Sequence, residues 1–440
     1  MAVPGTRTKD GQAYGDVRAP LSLDKLQPFL EKNVKGFAGP ITVKQFGFGQ
    51  SNPTYLLQTP NKSYVLRRAP LGPLLSKTAH RVDREFLMLE ALNKFNERLP
   101  KDTPPERFVP VPQVYALCMD PEVAGSPFYI MEFLKGRIFT DVQIPDLPKE
   151  ERFACWRSAV QALALLGSIP ISALGLPASF APDPIKKPYF PRQVVGMHRV
   201  SDAQSKAPVP SNPGGILGDV VHADELWPYY EQGSKTVSAA EVKHGASLVH
   251  GDYKLDNLVF HPTEPRVIGI LDWELCTLGS PLADLGNMLI PFSFPPVSDE
   301  DRRELTKKSS GTSNLVLGLK GLPSSQTGIP TSDVLEQWWV AGMNEGYLWH
   351  ASEANRSREA LAGRVPGPVP APRQWPTQRF EWVRSWMLFR LAIIAQGIAA
   401  RAALGQASSA HASPDRAPFD FFGKMAYQAK GQPEVTVAKL

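Results

Sequence analysis

Ser247-Leu-Val-His-Gly-Asp-Tyr-Lys-Leu-Asp-Asn-Leu-Val-Phe260 and its continuation Val267-Ile-Gly-Ile-Leu-Asp-Trp-Glu274 decide how this chain is read. An apolar run ends at His250, and a polar loop then presents Asp252, Lys254, Asp256 and Asn257. The runs Leu258–Phe260 and Val267–Leu271 have the composition of two short strands, and their spacing predicts a hairpin. A hairpin of that length returns its end to its start, so Asp272 is delivered back beside the loop. Hard oxygen ligands held close together suit Mg²⁺ bridging the phosphates of a nucleotide. Phosphoryl transfer asks the protein for positioning, charge neutralisation and one carboxylate to orient the attacking hydroxyl.

Upstream of this island the alternation of apolar and polar residues predicts strands over Ile41–Gly49, Thr54–Thr59 and Ser63–Arg68. The period then changes. From Thr78 to Phe95, Val82, Phe86, Leu89 and Asn93 fall on one helical face. Two more strands are predicted near Gln113–Met119 and Phe128–Phe133, so the first 130 or so residues read as a small sheet carrying one main helix. After Gly136 the pattern is mostly helical: Lys149–Leu166, Arg192–Gln204, Ala223–Val242, Thr331–Tyr347 and Thr377–Leu404. Val297–Gly328, rich in Ser, Gly and charge, and Arg364–Arg373, alternating Pro with Gly, Val and Ala, read as inserted segments.

Composition excludes several classes. A net charge of +5 is too weak an excess to point to nucleic acid or a membrane surface. Hydrophobic residues at 42% exclude a wholly disordered chain. The 43 prolines exceed the usual share of about 5% and exclude a helical bundle or a regular repeat array. They cluster at 100–112, 182–191 and 366–376, and none falls between Pro265 and Pro281, through the strand that delivers Asp272. Cys118, Cys155 and Cys276 have no paired spacing, which fits a reducing compartment. The stretch Leu391–Leu404, interrupted by Gln396 and Arg401, reads as too short and too polar to span a bilayer. Met1–Asp16 has no apolar core for a secretory signal. Ala438-Lys439-Leu440 is similar to the Ser-Lys-Leu peroxisomal address, so the expected partner is a peroxisomal import receptor and the expected compartment the peroxisome, otherwise the cytoplasm.

His250-Gly-Asp, four residues, Asn257, then Leu271-Asp-Trp-Glu274, resembles the catalytic loop and metal-binding strand of the aminoglycoside phosphotransferase and choline kinase family. Further segments follow in that family's order. Gln50-Ser-Asn-Pro-Thr-Tyr55 resembles its nucleotide-loop strand, Tyr64-Val-Leu-Arg67 the strand bearing a phosphate-pairing cation, and Arg84-Glu-Phe86 the helix bearing that cation's partner. Tyr129-Ile-Met-Glu-Phe133 resembles the hinge, and Ser280-Pro-Leu-Ala-Asp-Leu-Gly286 follows at the family's distance. The resemblance covers roughly residues 22–405. Gly47–Tyr55, Phe190-Pro-Arg-Gln193, His261–Arg266 and Phe389–Gly397 place the chain nearest the phosphotransferases fused to, or encoded near, acyl-CoA dehydrogenases. No dehydrogenase domain follows here, so a stand-alone kinase is expected.

The resemblance implies an α+β, two-lobed protein-kinase-like fold with a small antiparallel-sheet N-lobe and a larger helical C-lobe. The expected divisions are an N-terminal extension (1–21), the N-lobe (22–133), the C-lobe (134–425) and a tail (426–440). It implies ATP and Mg²⁺ as cofactors and a small-molecule hydroxyl as acceptor. Asp252 becomes the base-like carboxylate, and Lys254 either neutralises the moving phosphoryl group or is a solvated lysine. Asn257 and Asp272 become the metal ligands, His250 a prop for the loop, and Asp284 a structural group. Arg67 pairs with the α- and β-phosphates and with Glu85, unless the register is off by one and Arg68 takes that role. Gly49, Ser51 and Asn52 are phosphate-side contacts, and Glu132 and Leu134 offer backbone groups to adenine. Only residues 273–283 separate Asp272 from Asp284, and Gly251 replaces the arginine that would clasp an activating phosphate. Both features argue against a regulated protein kinase and for a constitutively assembled small-molecule kinase. The substrate expected from the subgroup is a hydroxyacyl or hydroxy-acid compound, as a CoA thioester, in lipid catabolism. The alternatives are a nucleotide-binding pseudokinase or adaptor, and an aminoglycoside-modifying kinase, for which the mixed charge near Asp299–Glu304 argues poorly.

Overall fold

The computed structural model of the chain describes residues 14–15, 17, 21–46, 52–71, 81–209, 214–298, 300, 317–361, 380–406 and 413–430. Two units emerge. The first comprises Met1–Leu166, Pro170–Pro177 and His250–Cys276, and the second Gly167–Ile169, Ala178–Val249 and Thr277–Leu440. The unit that holds the sheet therefore also holds the polar loop and the hairpin, from His250 to Cys276.

In the first unit, strands β1 (Tyr14–Gly15), β2 (Thr42–Phe46), β3 (Thr54–Gln58), β4 (Ser63–Arg68), β5 (Val114–Cys118) and β6 (Phe128–Glu132) form one antiparallel sheet in the order β1-β2-β3-β4-β6-β5. The strands expected from alternation are all present. β4 is central and buried from Tyr64 to Arg68, its two arginines included. Its side chains alternate between two environments. Tyr64 and Leu66 join Leu57, Phe128 and Ile130 in a core covered by Leu26 and Leu30 of helix α1 (Leu23–Asn33). Val65 and Arg67 share the opposite face. The second helix, α2 (Val82–Glu97), starts later than the periodicity predicts and buries Val82, Glu85, Met88, Leu89 and Leu92. Phe86, expected on the buried face, is only half-buried, and Glu85 takes a fully buried place.

Several elements of this unit are not expected from the sequence, among them β1, α1 and two one-turn helices. β1 lies within the segment read as an extension, and it is only two residues long. Helix α1 contains Pro28 and buries only Leu26 and Leu30, too weak an apolar stripe to recognise. The unit also contains α3 (Pro121–Ala124), most of α4 (Lys149–Ser168) and α5 (Ile171–Leu174). The predicted hairpin is present: β8 (Leu258–Phe260) pairs antiparallel with β9 (Val267–Ile270), with Leu258 opposite Ile270.

The second unit is mainly helical. It contains α6 (Tyr189–Ser205), α7 (Ala223–Val237), α8 (Ala239–His244), α9 (Leu282–Met288), α10 (Ser324–Thr327), α11 (Ser332–Leu361), α12 (Phe380–Ala403) and α13 (Ala417–Lys430). A two-stranded ladder joins β7 (Ser247–Val249) to β10 (Thr277–Gly279). The single helix expected over 223–242 is two, α7 and α8, and α13 has no counterpart among the predicted helices. α12 is long and apolar enough to cross a membrane by length and composition, but 72% of its most apolar window is buried inside the protein. It packs against α6, α7, α9 and α13. Trp382, Trp386 and Phe389 pack around Tyr230, whose hydroxyl bonds Ser385. These tryptophans are core residues, as is Trp339, while Trp338 is half-buried. Most of Val297–Gly328, all of Arg364–Arg373, and Ala438-Lys439-Leu440 lie outside the described residues.

Candidate active site

The island begins with a backbone that only glycine accepts. Gly251 has φ +91°, and a Cβ there would lie 2.7 Å from the Leu275 carbonyl oxygen. The turn this permits brings the Asp252 N–H back to His250 Nδ1 at 3.2 Å. With Nδ1 accepting, Nε2 carries the ring proton and donates to the Leu271 carbonyl at 2.8 Å. His250 is fully buried, with its ring 4.7 Å from that of Trp273. It therefore ties the start of the loop to the end of the hairpin. Tyr253 anchors the loop from below by donating to the Ala159 carbonyl of α4 at 2.7 Å.

Asn257 holds Asp252. Its Nδ2 donates to the Asp252 carbonyl at 2.8 Å and to Asp252 Oδ2 at 3.0 Å. Both amide hydrogens are thereby turned toward Asp252, which leaves Asn257 Oδ1 without a protein partner among the described residues. The Leu271 N–H donates to the Asn257 carbonyl at 2.9 Å, so β8 and β9 bring Asp272 next to Asn257 as the spacing predicts. Lys254 Nζ lies 3.3 Å from Asp252 and 3.5 Å from Asp256. It is a paired lysine and not a freely solvated one. Burial alone would lower its pKa, but Asp256 and Asp252 more than offset this and raise it, so it stays charged. Burial raises the pKa of Asp256, against the pull of Lys254.

Asp272 sits in the left-handed region at φ +66°, ψ +63°, a conformation that Asp tolerates better than most residues. Its Oδ1 meets Arg67 Nη2. Arg67 Nε lies 2.8 Å from Glu85 Oε2, and a third carboxylate, Glu274, is 3.7 Å from Nη2. The strand register is thus the expected one. Arg68 points the other way, into the α1 side, where it bonds the Ala124 carbonyl at 2.6 Å and the Tyr55 hydroxyl at 2.7 Å.

Asn52 is buried, and its Nδ2 donates to Glu85 Oε1 at 2.9 Å and to Glu274 Oε2 at 3.3 Å. Glu132 ends β6, with its carboxylate accepting the Gln113 N–H at 3.2 Å. Leu134 packs over Gly269 of β9, where a Cβ would lie 2.2 Å from Leu134 Cδ1. Gly49 and Ser51 lie outside the described residues.

Sequence reasoning misses two members of the site. It gives Glu274 no role, and it places Tyr129 only in the hinge segment. Burial, then the neighbouring Asp272, pushes the Glu274 pKa up to about 7. Burial also raises the pKa of Glu85, with Arg67 opposing it. Asp252, Asp256, Asp272, Glu85 and Glu274 are five carboxylates set against Lys254 and Arg67. Such an excess of negative charge calls for a cation. Asn257 Oδ1 in the loop and Asp272 Oδ2 at the end of the hairpin are oxygen donors without protein partners among the described residues, a donor set that fits Mg²⁺.

Residues 42–309 match the model of the phosphotransferase enzyme family. The chain belongs to that family. It is 33% identical over 395 residues to the Probable acyl-CoA dehydrogenase IBR3 of Arabidopsis thaliana, covering 88% of this chain and 40% of that protein. It is 37% identical over 274 residues to Acyl-CoA dehydrogenase family member 11 of Rattus norvegicus, covering 61% and 31%. Family member 10 of Mus musculus is 30% identical over 421 residues, covering 94% and 31%. This phosphotransferase-family chain thus spans 31–40% of the length of these relatives. Among solved structures, a provisionally named aminoglycoside phosphotransferase from Ralstonia eutropha JMP134 is 29% identical with a TM-score of 0.64, covering 93% of this chain and 98% of that one. The α+β, kinase-like fold and the acyl-CoA dehydrogenase-named kinship expected from the motifs both hold.

Proposed function

We propose that this chain is an ATP- and Mg²⁺-dependent phosphotransferase acting on a hydroxyl of a small molecule. The observation that carries the reading is that Asn257 turns its amide hydrogens to Asp252 while its own oxygen and the second oxygen of Asp272 stay open. Mg²⁺, when bound through those oxygens, supplies charge neutralisation to the nucleotide phosphates. Asp252, oriented by Asn257 and half-buried, accepts or orients the acceptor's hydroxyl proton. Lys254 keeps its charge beside Asp252 and offsets negative charge on the phosphoryl group in transit. Arg67 presents a planar fork to the α- and β-phosphates, with Glu85 holding it. Gly49, Ser51 and Asn52 belong to the phosphate side, and the backbone of Glu132 and Leu134 to the adenine side.

The acceptor we propose is a hydroxyacyl or hydroxy-acid compound, as a CoA thioester. Support comes from relatives named as acyl-CoA dehydrogenase family members. The peroxisomal address Ala438-Lys439-Leu440 is a companion proposal, tested by whether deleting it from a fluorescent fusion disperses peroxisomal signal. The function is tested by incubating the protein with labelled ATP, Mg²⁺ and a panel of hydroxyacyl-CoA, amino-alcohol and aminoglycoside compounds. Transfer to a hydroxyacyl-CoA is expected, with loss in Asp252→Ala. Transfer that survives Asp252→Ala would refute the mechanism, and no transfer to any compound would refute the enzyme.

A further inference from the structure

The grip of Glu85 on Arg67 depends on two donors. One, Tyr129, has no task in the phosphotransferase reading, and the other, Asn52, figures there only on the phosphate side. Glu85 is fully buried, so each of its oxygens must be satisfied from within the protein. Oε1 accepts from Asn52 Nδ2 at 2.9 Å. Oε2 accepts from the Tyr129 hydroxyl at 3.1 Å and lies 2.8 Å from Arg67 Nε. The Arg67 Nε–H is not aimed along a hydrogen-bond direction, so that contact is ionic and fixes position loosely. The directed bonds come from Asn52 and Tyr129. Sheet register puts Tyr129 there: it is the cross-strand partner of Arg67 between β4 and β6, and directly opposed residues stand on the same face. Tyr129 is almost wholly buried, and burial keeps its hydroxyl protonated and a donor.

We infer that Tyr129 is a positioning residue for the nucleotide's phosphates, acting with Asn52 by fixing both oxygens of Glu85 so that Arg67 is held at the site. The inference rests on the proposed function and adds to it a pair of side chains that act on phosphate affinity through Glu85, without touching adenine. Tyr129→Phe removes one oxygen and leaves the ring, its packing against Phe86 included. Asn52→Ala removes the donor to the other carboxylate oxygen.

The test is equilibrium binding of Mg²⁺-ATP and of adenosine to the full chain, measured by calorimetry for wild type, Tyr129→Phe and Asn52→Ala. Adenosine has no phosphate, so it reports the rest of the nucleotide pocket. The expected result is ATP affinity weakened roughly tenfold in each variant, the scale of one lost hydrogen bond to a charged group, with adenosine affinity unchanged. Asn52→Ala counts only alongside a loss at Tyr129, because Asn52 itself stands on the phosphate side; if Tyr129→Phe does not fold, Tyr129→Met, which also removes the hydroxyl, takes its place. Variants that bind ATP as wild type does would overturn the inference while leaving the proposed function intact. Equal loss for ATP and adenosine would also overturn it, because that is what a merely structural residue does. Wild-type protein that does not bind Mg²⁺-ATP would overturn the proposed function and this inference with it.

Discussion

Replacing Gly251 by alanine separates two physical costs that meet at the start of the catalytic loop. The first is conformational. At φ +91° an L-residue is strained, by about 1–2 kcal/mol from the clash of Cβ with the following carbonyl. The second is crowding. The new Cβ would lie 2.7 Å from the Leu275 carbonyl oxygen and 2.8 Å from Leu275 Cβ, and the carbonyl is backbone that cannot swing aside. Forcing an extra methyl into such a place costs about 1–3 kcal/mol. Gly36 supplies the control: its φ is +77°, and nothing lies within 4 Å of where its Cβ would be. Gly36→Ala should therefore cost only the conformational part. Gly251→Ala should cost about 2–5 kcal/mol, a large share of a typical stability of about 5–15 kcal/mol. The measurement is the midpoint of urea unfolding for both variants against wild type, with the slope held constant. Equal losses in the two variants would refute the crowding argument. So would a Gly251→Ala protein as stable as wild type.

Arg67→Ala and Arg68→Ala should part company although the residues are neighbours. Arg67→Ala should abolish ATP binding in a thermal-shift assay, whereas Arg68→Ala, which strips bonds to Ala124 and Tyr55, should lower unfolding stability by about 2–4 kcal/mol with the site's geometry kept. Asp272→Ala should remove the Mg²⁺-dependent part of any ATP-induced thermal shift, and a shift that persists would show that Asp272 is not a metal ligand. Glu241, buried where it accepts the Tyr189 N–H at 2.9 and 3.1 Å, has its pKa pushed by burial from 4.5 to about 7. The folded state therefore binds this proton more tightly than the unfolded chain. Its contribution is fully present below pH 4.5 and is lost as the pH rises to about 7. Comparing unfolding midpoints at about pH 5 and about pH 8, on either side of the raised value, Glu241→Gln should show a smaller fall with pH than wild type, and an identical fall would refute the assignment.

What could be read in the chain follows from how local each signal is. Asp252, Asn257 and Asp272 are joined by a loop and a short hairpin, so spacing alone brings them together. Their glycine, Gly251, is also part of the contiguous motif. Arg67 and Glu85 stand in neighbouring segments of a familiar order, and alternation along β4 assigns Arg67 and Arg68 to opposite faces. Tyr129 and Glu274 carry no such signal. Tyr129 reaches Glu85 only because β6 pairs with β4 in one particular register. Glu274 joins because the chain bends at Asp272 into a left-handed conformation, which aims the next turn back toward Arg67 and Asn52. Helix α1 escapes notice because two buried leucines and an internal proline do not make a periodic stripe.

By itself the sequence determined the order of the elements, the α+β class and the polar loop with its hairpin, because these depend on periodicity and on residues close together in the chain. Tertiary structure alone decided that Asp272 and Glu274 join Glu85 around Arg67 and how Asn52 is used. It also decided that Lys254 is clasped between two aspartates and that α12 is a core helix. Those outcomes depend on strand register and on burial. Burial removes water as the alternative partner and obliges each polar group to find another within the protein.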